Sequence, residues 1–144
     1  MIRYSTITTK DPAYAQEKEL RDRILRRPLG LTLSGKDLQG EDEQIHIVAM
    51  DEQGSVVGCV LVAFAEERAK IRQIAVDEGH QGRGVGTQLI KTAEQAALDR
   101  NVRTLMLHAR VTAREFFEKL GYKAASGVFT EVTIPHVAME KRCN

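Results

Sequence analysis

The segment Gln81-Gly82-Arg83-Gly84-Val85-Gly86-Thr87 sets three glycines at alternate positions just before an apolar pattern of helical spacing. Glycine reaches backbone conformations closed to other residues, so consecutive N–H groups in such a turn can converge on one point. A helix start adds free N–H groups and the positive end of its dipole. Together these suit a diphosphate, with Arg83 able to add charge at the rim. On these residues alone, a glycine-rich turn without a ligand is the alternative. Spelling excludes two other phosphate loops. A Walker loop ends Gly-Lys-Ser/Thr where this turn ends Gly86-Thr87, and the dinucleotide pattern needs glycine at position 87.

The elements that must position this turn are legible from periodicity. Ile2–Thr8 alternates as a first strand, and Asp11-Pro12 opens a helix that runs to about Arg27, where Pro28 and Gly30 end it. Tyr14, Leu20, Ile24 and Leu25 are its expected buried side. Leu31–Glu43 reads as a loop with one helical turn at most. Ile45–Met50, Ser55–Ala65 and Ala69–Val76, separated by short turns, read as antiparallel strands. Leu89, Ile90, Ala93, Ala96 and Ala97 mark a helix ending near Asn101, and Thr104–Ala109 is the next strand. A strand, a helix and a strand make a crossover, so the strands at 69–76 and 104–109 are expected to be parallel. Thr112-Ala113-Arg114-Glu115 fits a capping box before a short helix that buries Ala113, Phe116, Phe117 and Leu120. Strands near Tyr122–Ala124 and Thr130–Lys141 finish the chain. The expected class is α/β (α+β): one domain over residues 1–144, with a mixed, mostly antiparallel sheet of about seven strands and four helices.

Composition excludes several partners. The formal charge is +1, no block of like charge occurs and aromatics make up 5% of residues, so neither nucleic acid nor an anionic membrane is implied. The longest apolar stretch, Val56–Ala65, is well short of the ~20 residues needed to cross a bilayer. Cys59 and Cys143 lie too far apart for a metal-ligand pattern, and no metal is expected. Cys59 sits in an apolar run as a buried free thiol would. With no leader pattern in the first ten residues, a cytoplasmic location is the expectation.

Ala75-Val76-Asp77 followed by Gln81-x-x-Gly84-x-Gly86 resembles the coenzyme A signature of the GNAT family of N-acetyltransferases, Q/R-x-x-G-x-G/A. Ala113-Arg114-Glu115-Phe116-Phe117-Glu118-Lys119-Leu120-Gly121-Tyr122 is similar to a second family segment, and the order of elements is the family's order. The resemblance therefore covers nearly the whole chain. It is strongest to glyphosate N-acetyltransferase-like members, through Leu20–Arg26, Leu89-Ile90-Lys91, Ala109-Arg110 and Pro135–Met139. It implies a GNAT fold with a parallel, splayed strand pair around the coenzyme, and acetyl-CoA as co-substrate. Contacts to acetyl-CoA are implied at Ile74, Ala75 and Val76, at Gln81, Gly82, Arg83, Gly84, Val85, Gly86 and Thr87, and at Ala113 and Phe117. It also implies an acceptor site at Arg26, Arg72 and Arg110, a general base at His136, and, since the family is often dimeric, a homodimer.

The chemistry asks for a neutral amine, a stabilised oxyanion and a departing thiolate. The resemblance implies that the coenzyme's pantetheine arm pairs with the strand ending at Val76, which would place the thioester between that strand and the one ending at Ala109, with a backbone N–H near Ala75–Val76 able to meet the oxyanion. An imidazole titrates near neutral pH and can take an amine's proton, which makes His136 the candidate; a surface histidine on a strand is the alternative. Guanidinium groups bind carboxylate or phosphonate in two-pronged fashion, so the expected acceptor is a small anionic amine such as an amino acid or aminophosphonate. Solvated arginines are the alternative. Arg72 leads because it interrupts the apolar face of Ile74 and Val76. Where the family often has a tyrosine, this chain has Phe117, which has no hydroxyl to protonate the leaving sulfur. Transfer to a protein or peptide amine, or a non-catalytic acetyl-CoA-binding module, are the rival functions.

Overall fold

The β-branched runs form seven strands of one mixed sheet, with helices on both faces, in a computed structural model that describes all 144 residues from Met1 to Asn144. In chain order these are β1 (Arg3–Ile7), α1 (Ala13–Leu25), α2 (Gly35–Leu38), β2 (Ile45–Met50), β3 (Val56–Ala65), β4 (Arg68–Val76), α3 (Val85–Asp99), β5 (Thr104–Arg110), α4 (Arg114–Lys119), β6 (Lys123–Glu131) and β7 (Ile134–Arg142). The spatial order is β1-β2-β3-β4-β5-β7-β6. Neighbours are antiparallel except β4 and β5, the pair that the crossover through α3 makes parallel. This is the mixed sheet with four helices that the sequence predicts.

One face of the sheet packs Val60, Ile71 and Leu107 against Leu89, Ile90, Ala93 and Ala97 of α3 and Phe117 of α4. Val48, Cys59 and Ala75 face the other way, towards Leu20 of α1. Both cysteines are free and buried. The inner side of α1 is more polar than its apolar spacing suggests. Leu20 is buried as predicted and Tyr14, Ile24 and Leu25 are half-buried, but Glu17 and Arg21 are fully enclosed beside Leu20.

Two local expectations are corrected. Thr112 does not cap α4: it lies within a 3₁₀ turn, Val111–Ala113, and the helix starts after Ala113 with no side-chain cap. A capping box exists instead at α2, where Ser34 Oγ accepts from the Asp37 N–H and Asp37 Oδ2 accepts from the Ser34 N–H. The sixth strand is also longer than its sequence suggests. It runs to Glu131 along the sheet edge, largely exposed, so no burial pattern marks it.

β6 and β7 are joined by the two-residue turn Val132-Thr133, with φ of 43° and 71°. Positive φ at both central positions is the hairpin turn that matches strand twist, and it normally falls to Asn-Gly. β-branched residues there hold the backbone under strain of about 1–3 kcal/mol each. Replacing the pair (V132N/T133G) should raise stability by roughly 1–2 kcal/mol in urea titrations; an unchanged or lower midpoint would show that the turn is not strained.

Candidate active site

The glycine turn has the geometry that anion binding needs. Gly82 and Gly84 adopt φ of 77° and 82°, and Gly84 is the residue from which α3 starts. Val85 is buried and anchors the helix start, while residues 81 to 84 are exposed. The first protein acceptor is met by Gln88, whose N–H bonds Gly84 O; the N–H groups from Gly82 to Thr87 donate to no protein acceptor. They are the orphan donors of a helix start, and the dipole there favours an anion. Gly86 lies against α4, where a Cβ would sit at ordinary contact distance, 3.4 Å, from Phe116 Cζ. Gln81 braces the turn, its Nε2 donating to Val76 O at 2.9 Å.

β4 leads from this turn towards the middle of the sheet, and it changes face on the way. Its register against β3 slips between Cys59 and Leu61, so Gln73 and Ile74 together oppose Val60, and Gln73 has φ 53°. This is a β-bulge. Before it, Ala69 and Ile71 face the α3 core; after it, Ile74 and Val76 do, while Ala75 faces α1. The expectation that Arg72 shares a face with Ile74 and Val76 is therefore wrong, because the inserted residue breaks the period of two. Arg72 points instead to the α1 side. There it donates to Gln44 Oε1 (2.6 Å) and Asp37 O (3.0 Å) and lies 3.7 Å from Glu41. β4 pairs with β5 only from Arg68–Thr104 to Lys70–Met106, and past that point the strands part.

Arg21 holds the bulge. Its Nε donates to Gln73 Oε1 (3.1 Å), and its other nitrogens take Glu41 in two-pronged fashion (2.9 and 2.5 Å) and Glu17 (3.1 Å). Tyr14 also donates to Glu41, at 2.8 Å. His46 sets Nδ1 against Glu17 (2.9 Å) and Nε2 against Glu41 O (2.8 Å). Glu17, Glu41 and His46 have the spacing of metal ligands, but Arg21 already bonds both carboxylates and answers their charge. Burial pushes the Glu41 carboxyl up, yet the bonds and charge of Arg21 outweigh it and leave the pKa lowered.

Where β4 and β5 part, a cleft of about 660 Å³ opens. It gathers Arg26, Arg72, Arg110 and His136, the four side chains singled out for the acceptor, with Ile74, Ala113 and Phe117 from the coenzyme set. Their states differ. Arg26 is paired with Asp37 (2.9 Å), whose carboxyl is pushed up by burial but held lower, at about 2, by Arg26 and the Ser34 N–H. Arg110 donates to Leu25 O (2.8 Å) and has no carboxylate partner; burial, then the charge of Arg26, lowers its pKa. Arg110 is thus the guanidinium of the three without a carboxylate within salt-bridge distance.

His136 is buried, and its Nδ1 lies 2.9 Å from Ile134 O. A carbonyl only accepts, so Nδ1 carries a proton, and in the neutral ring the lone pair is then on Nε2. Phe129 stacks on the ring. Glu131 lies 3.8 Å from Nε2 and accepts from His108 Nδ1 at 2.9 Å. Sequence reading missed Glu131, Asp37, Lys36 and Lys70 as cleft residues. For Asp37 there was a signal in the Ser34-x-x-Asp37 box; for Glu131 there was none. Phe117 lines the cleft without a hydroxyl, and Tyr122, buried against Phe117, donates to Glu94 at 2.8 Å. Burial and then Glu94 raise the Tyr122 pKa far above its ordinary value, so it is no acid for the cleft.

Two predictions test the buried frame. Arg21→Met strands two buried carboxylates and should cost about 3–5 kcal/mol in urea titrations, with Arg21→Lys recovering only part because an ammonium cannot make the fork; a small loss in R21M would mean the frame is dispensable. His46 lies where burial lowers its pKa but Glu17 and the Glu41 carbonyl raise it more, so the net shift is upward. Its contribution is full below the unfolded value of about 6.5 and is lost as pH rises through the raised folded value. The stability advantage of wild type over His46→Gln should therefore shrink as pH climbs above about 6.5, and a constant gap would contradict it.

Residues 32–143 match the acetyltransferase (GNAT) domain family. The chain is similar to the uncharacterized N-acetyltransferase YjcF of Bacillus subtilis (strain 168), 33% identical over 102 residues that cover 70% of this chain and 72% of that protein. With another Bacillus subtilis relative, provisionally named an acetyltransferase, identity is 31% over 97 residues, spanning 67% of this chain and 65% of that one. Among solved structures, Escherichia coli ElaA superposes with a TM-score of 0.84 at 18% identity, covering 99% of this chain and 100% of that one. An aminoglycoside 6'-N-acetyltransferase complexed with coenzyme A does so at 0.78 and 18%, covering 97% and 96%. At that identity the structural likenesses speak for the fold.

Proposed function

The chain belongs to the acetyltransferase (GNAT) domain family, and from that premise we propose that it moves the acetyl group of acetyl-CoA to the amine of a small acceptor that carries an acidic group. The observation that carries this reading is the gap between β4 and β5. It has a turn of unpaired N–H groups at its α3 end and, beyond the bulge, an imidazole with a free Nε2 beside a guanidinium without a carboxylate.

The diphosphate of acetyl-CoA would rest on the N–H groups of residues 82–87, and the rest of the molecule would run along Ile74–Val76 towards Ala113 and Phe117. The thioester supplies the acetyl carbon and a leaving thiolate. His136 takes a proton from the acceptor ammonium at Nε2, and the amine then attacks the carbonyl carbon. A backbone N–H of β4 past the bulge faces the developing oxyanion. An ordinary thiol titrates at about 8.5, so the thiolate leaves without a strong acid and Phe117 slows this step rather than prevents it. The likeness to glyphosate N-acetyltransferase-like members at Arg26, Arg72, Arg110 and His136 supports an amino acid or aminophosphonate-like acceptor. The segment from Leu31 to Asp37 lines the cleft and is tied down by Arg26 and Arg72, which favours a small acceptor over a peptide laid in an open groove.

Thiol release from acetyl-CoA across amino acids, aminophosphonates, polyamines and peptides tests the reading. Anionic small amines should be acetylated; activity on peptides alone, or none with tight coenzyme binding, would overturn it. His136→Gln should lower kcat by about 10²- to 10⁴-fold, and unchanged kcat would remove the base. Arg110→Ala should raise KM for the anionic acceptor by roughly tenfold to a hundredfold with little change for acetyl-CoA.

A further inference from the structure

The cleft is rich in cations: Arg26, Lys36, Lys70, Arg72 and Arg110 line it against only two carboxylates, Asp37 and Glu131. Asp37 is already taken by Arg26. Glu131 is different, because its ion-pair partners are the imidazoles of His108 and His136, with no lysine or arginine at salt-bridge distance. A carboxylate at the rim of a cleft of cations, 42% exposed and left without a full cation, is open to a positive charge that enters from solvent.

Its position is fixed from two sides. His108 Nδ1, whose ring meets Phe129 edge-on, donates to Oε1 at 2.9 Å. On the chain itself, Glu131 precedes the strained Val132-Thr133 turn, and Ile134, which follows that turn, supplies the carbonyl that fixes the His136 tautomer. Strain of this kind persists where the surroundings over-determine a conformation. The one turn therefore sets both the carboxylate and the lone pair of the base. Oε2 then stands 3.8 Å from His136 Nε2, beyond a good hydrogen bond but close enough for one N–H-bearing cation to reach both atoms.

We propose that Glu131, held in place by His108, docks the acceptor's ammonium group against His136 Nε2. This inference rests on the transfer reading only in taking His136 as the base. Glu131 accepts no proton. The ammonium gives one proton to His136 Nε2, the C–N bond forms as the C–S bond breaks, and a second proton from nitrogen ends on the departing thiolate. The negative Glu131 then faces the imidazolium it leaves behind. With Arg110 as the guanidinium free of a carboxylate at the facing end of β5, the cleft sets unpaired positive charge across from the Glu131 carboxylate, which complements a zwitterion and selects against an acid without an amine.

The test uses ethylammonium, a bare ammonium ion, added to the full chain saturated with coenzyme A, with the His108 and His136 ring signals followed by NMR. Wild type should show a saturable change at both rings, and ethanol, the neutral isostere, none. Glu131→Gln should weaken ethylammonium binding roughly tenfold or more while leaving the melting temperature in place. His108→Ala should weaken it several-fold, and His108→Asn, which keeps a donor near the Nδ1 position, should restore it. Equal binding by E131Q, or no saturable change in wild type, overturns the proposal. A silent acceptor panel would instead sink the anionic-amine reading while leaving this titration intact.

Discussion

A single buried guanidinium sets the shape on which the rest depends. Arg21 bonds Gln73 across from α1 and is itself held by Glu17 and Glu41. Gln73 adopts a left-handed backbone that only a fixed neighbourhood sustains. The bulge it makes breaks the alternation of β4, so Arg72 faces the α1 side while Ile74 and Val76, two and four residues on, face α3. It lies just past Lys70–Met106, the last pair that joins β4 to β5. Charges sunk beneath a sheet are seldom the best route to stability, because desolvation offsets much of their attraction. Here they specify a geometry that hydrophobic packing would not.

That geometry sorts the charges of the cleft by availability. The wall segment between Leu31 and Gln44 is fastened to α1 and its last turn by Arg21 through Glu41 and Arg26 through Asp37, and to β4 by Arg72 through Gln44 and the Asp37 carbonyl. Three arginines thus build the wall, while Arg110, tied only to a backbone carbonyl, keeps its charge for another partner. Residue type alone does not separate these roles. Partners do.

Much of this was legible from residues and spacing. The glycine turn, the strand and helix order, the parallel crossover and the four side chains that meet in the cleft follow from periodicity, turn chemistry and resemblance. The bulge was not, because glutamine at a positive φ has no spelling, and one inserted residue silently reversed the face of everything after it. Glu17 and Arg21, four apart on a helix, look like an ordinary solvated pair until Glu41, from a loop, closes over them. Glu131 was hidden for a related reason: its strand lies exposed at the sheet edge with no alternation, and the Val-Thr turn beside it carries none of the usual hairpin residues.

The pairing of Arg26 with Asp37 makes the wall segment its own rival for ligands. An anion that reaches Arg26 meets a guanidinium already occupied by a carboxylate of the same chain, so whatever it gains there is offset by the loosening of α2. Holding the wall shut and gripping the guest draw on one side chain. The cost of any such exchange is set by the Asp37 carboxylate, which both pairs with Arg26 and caps α2 through Ser34.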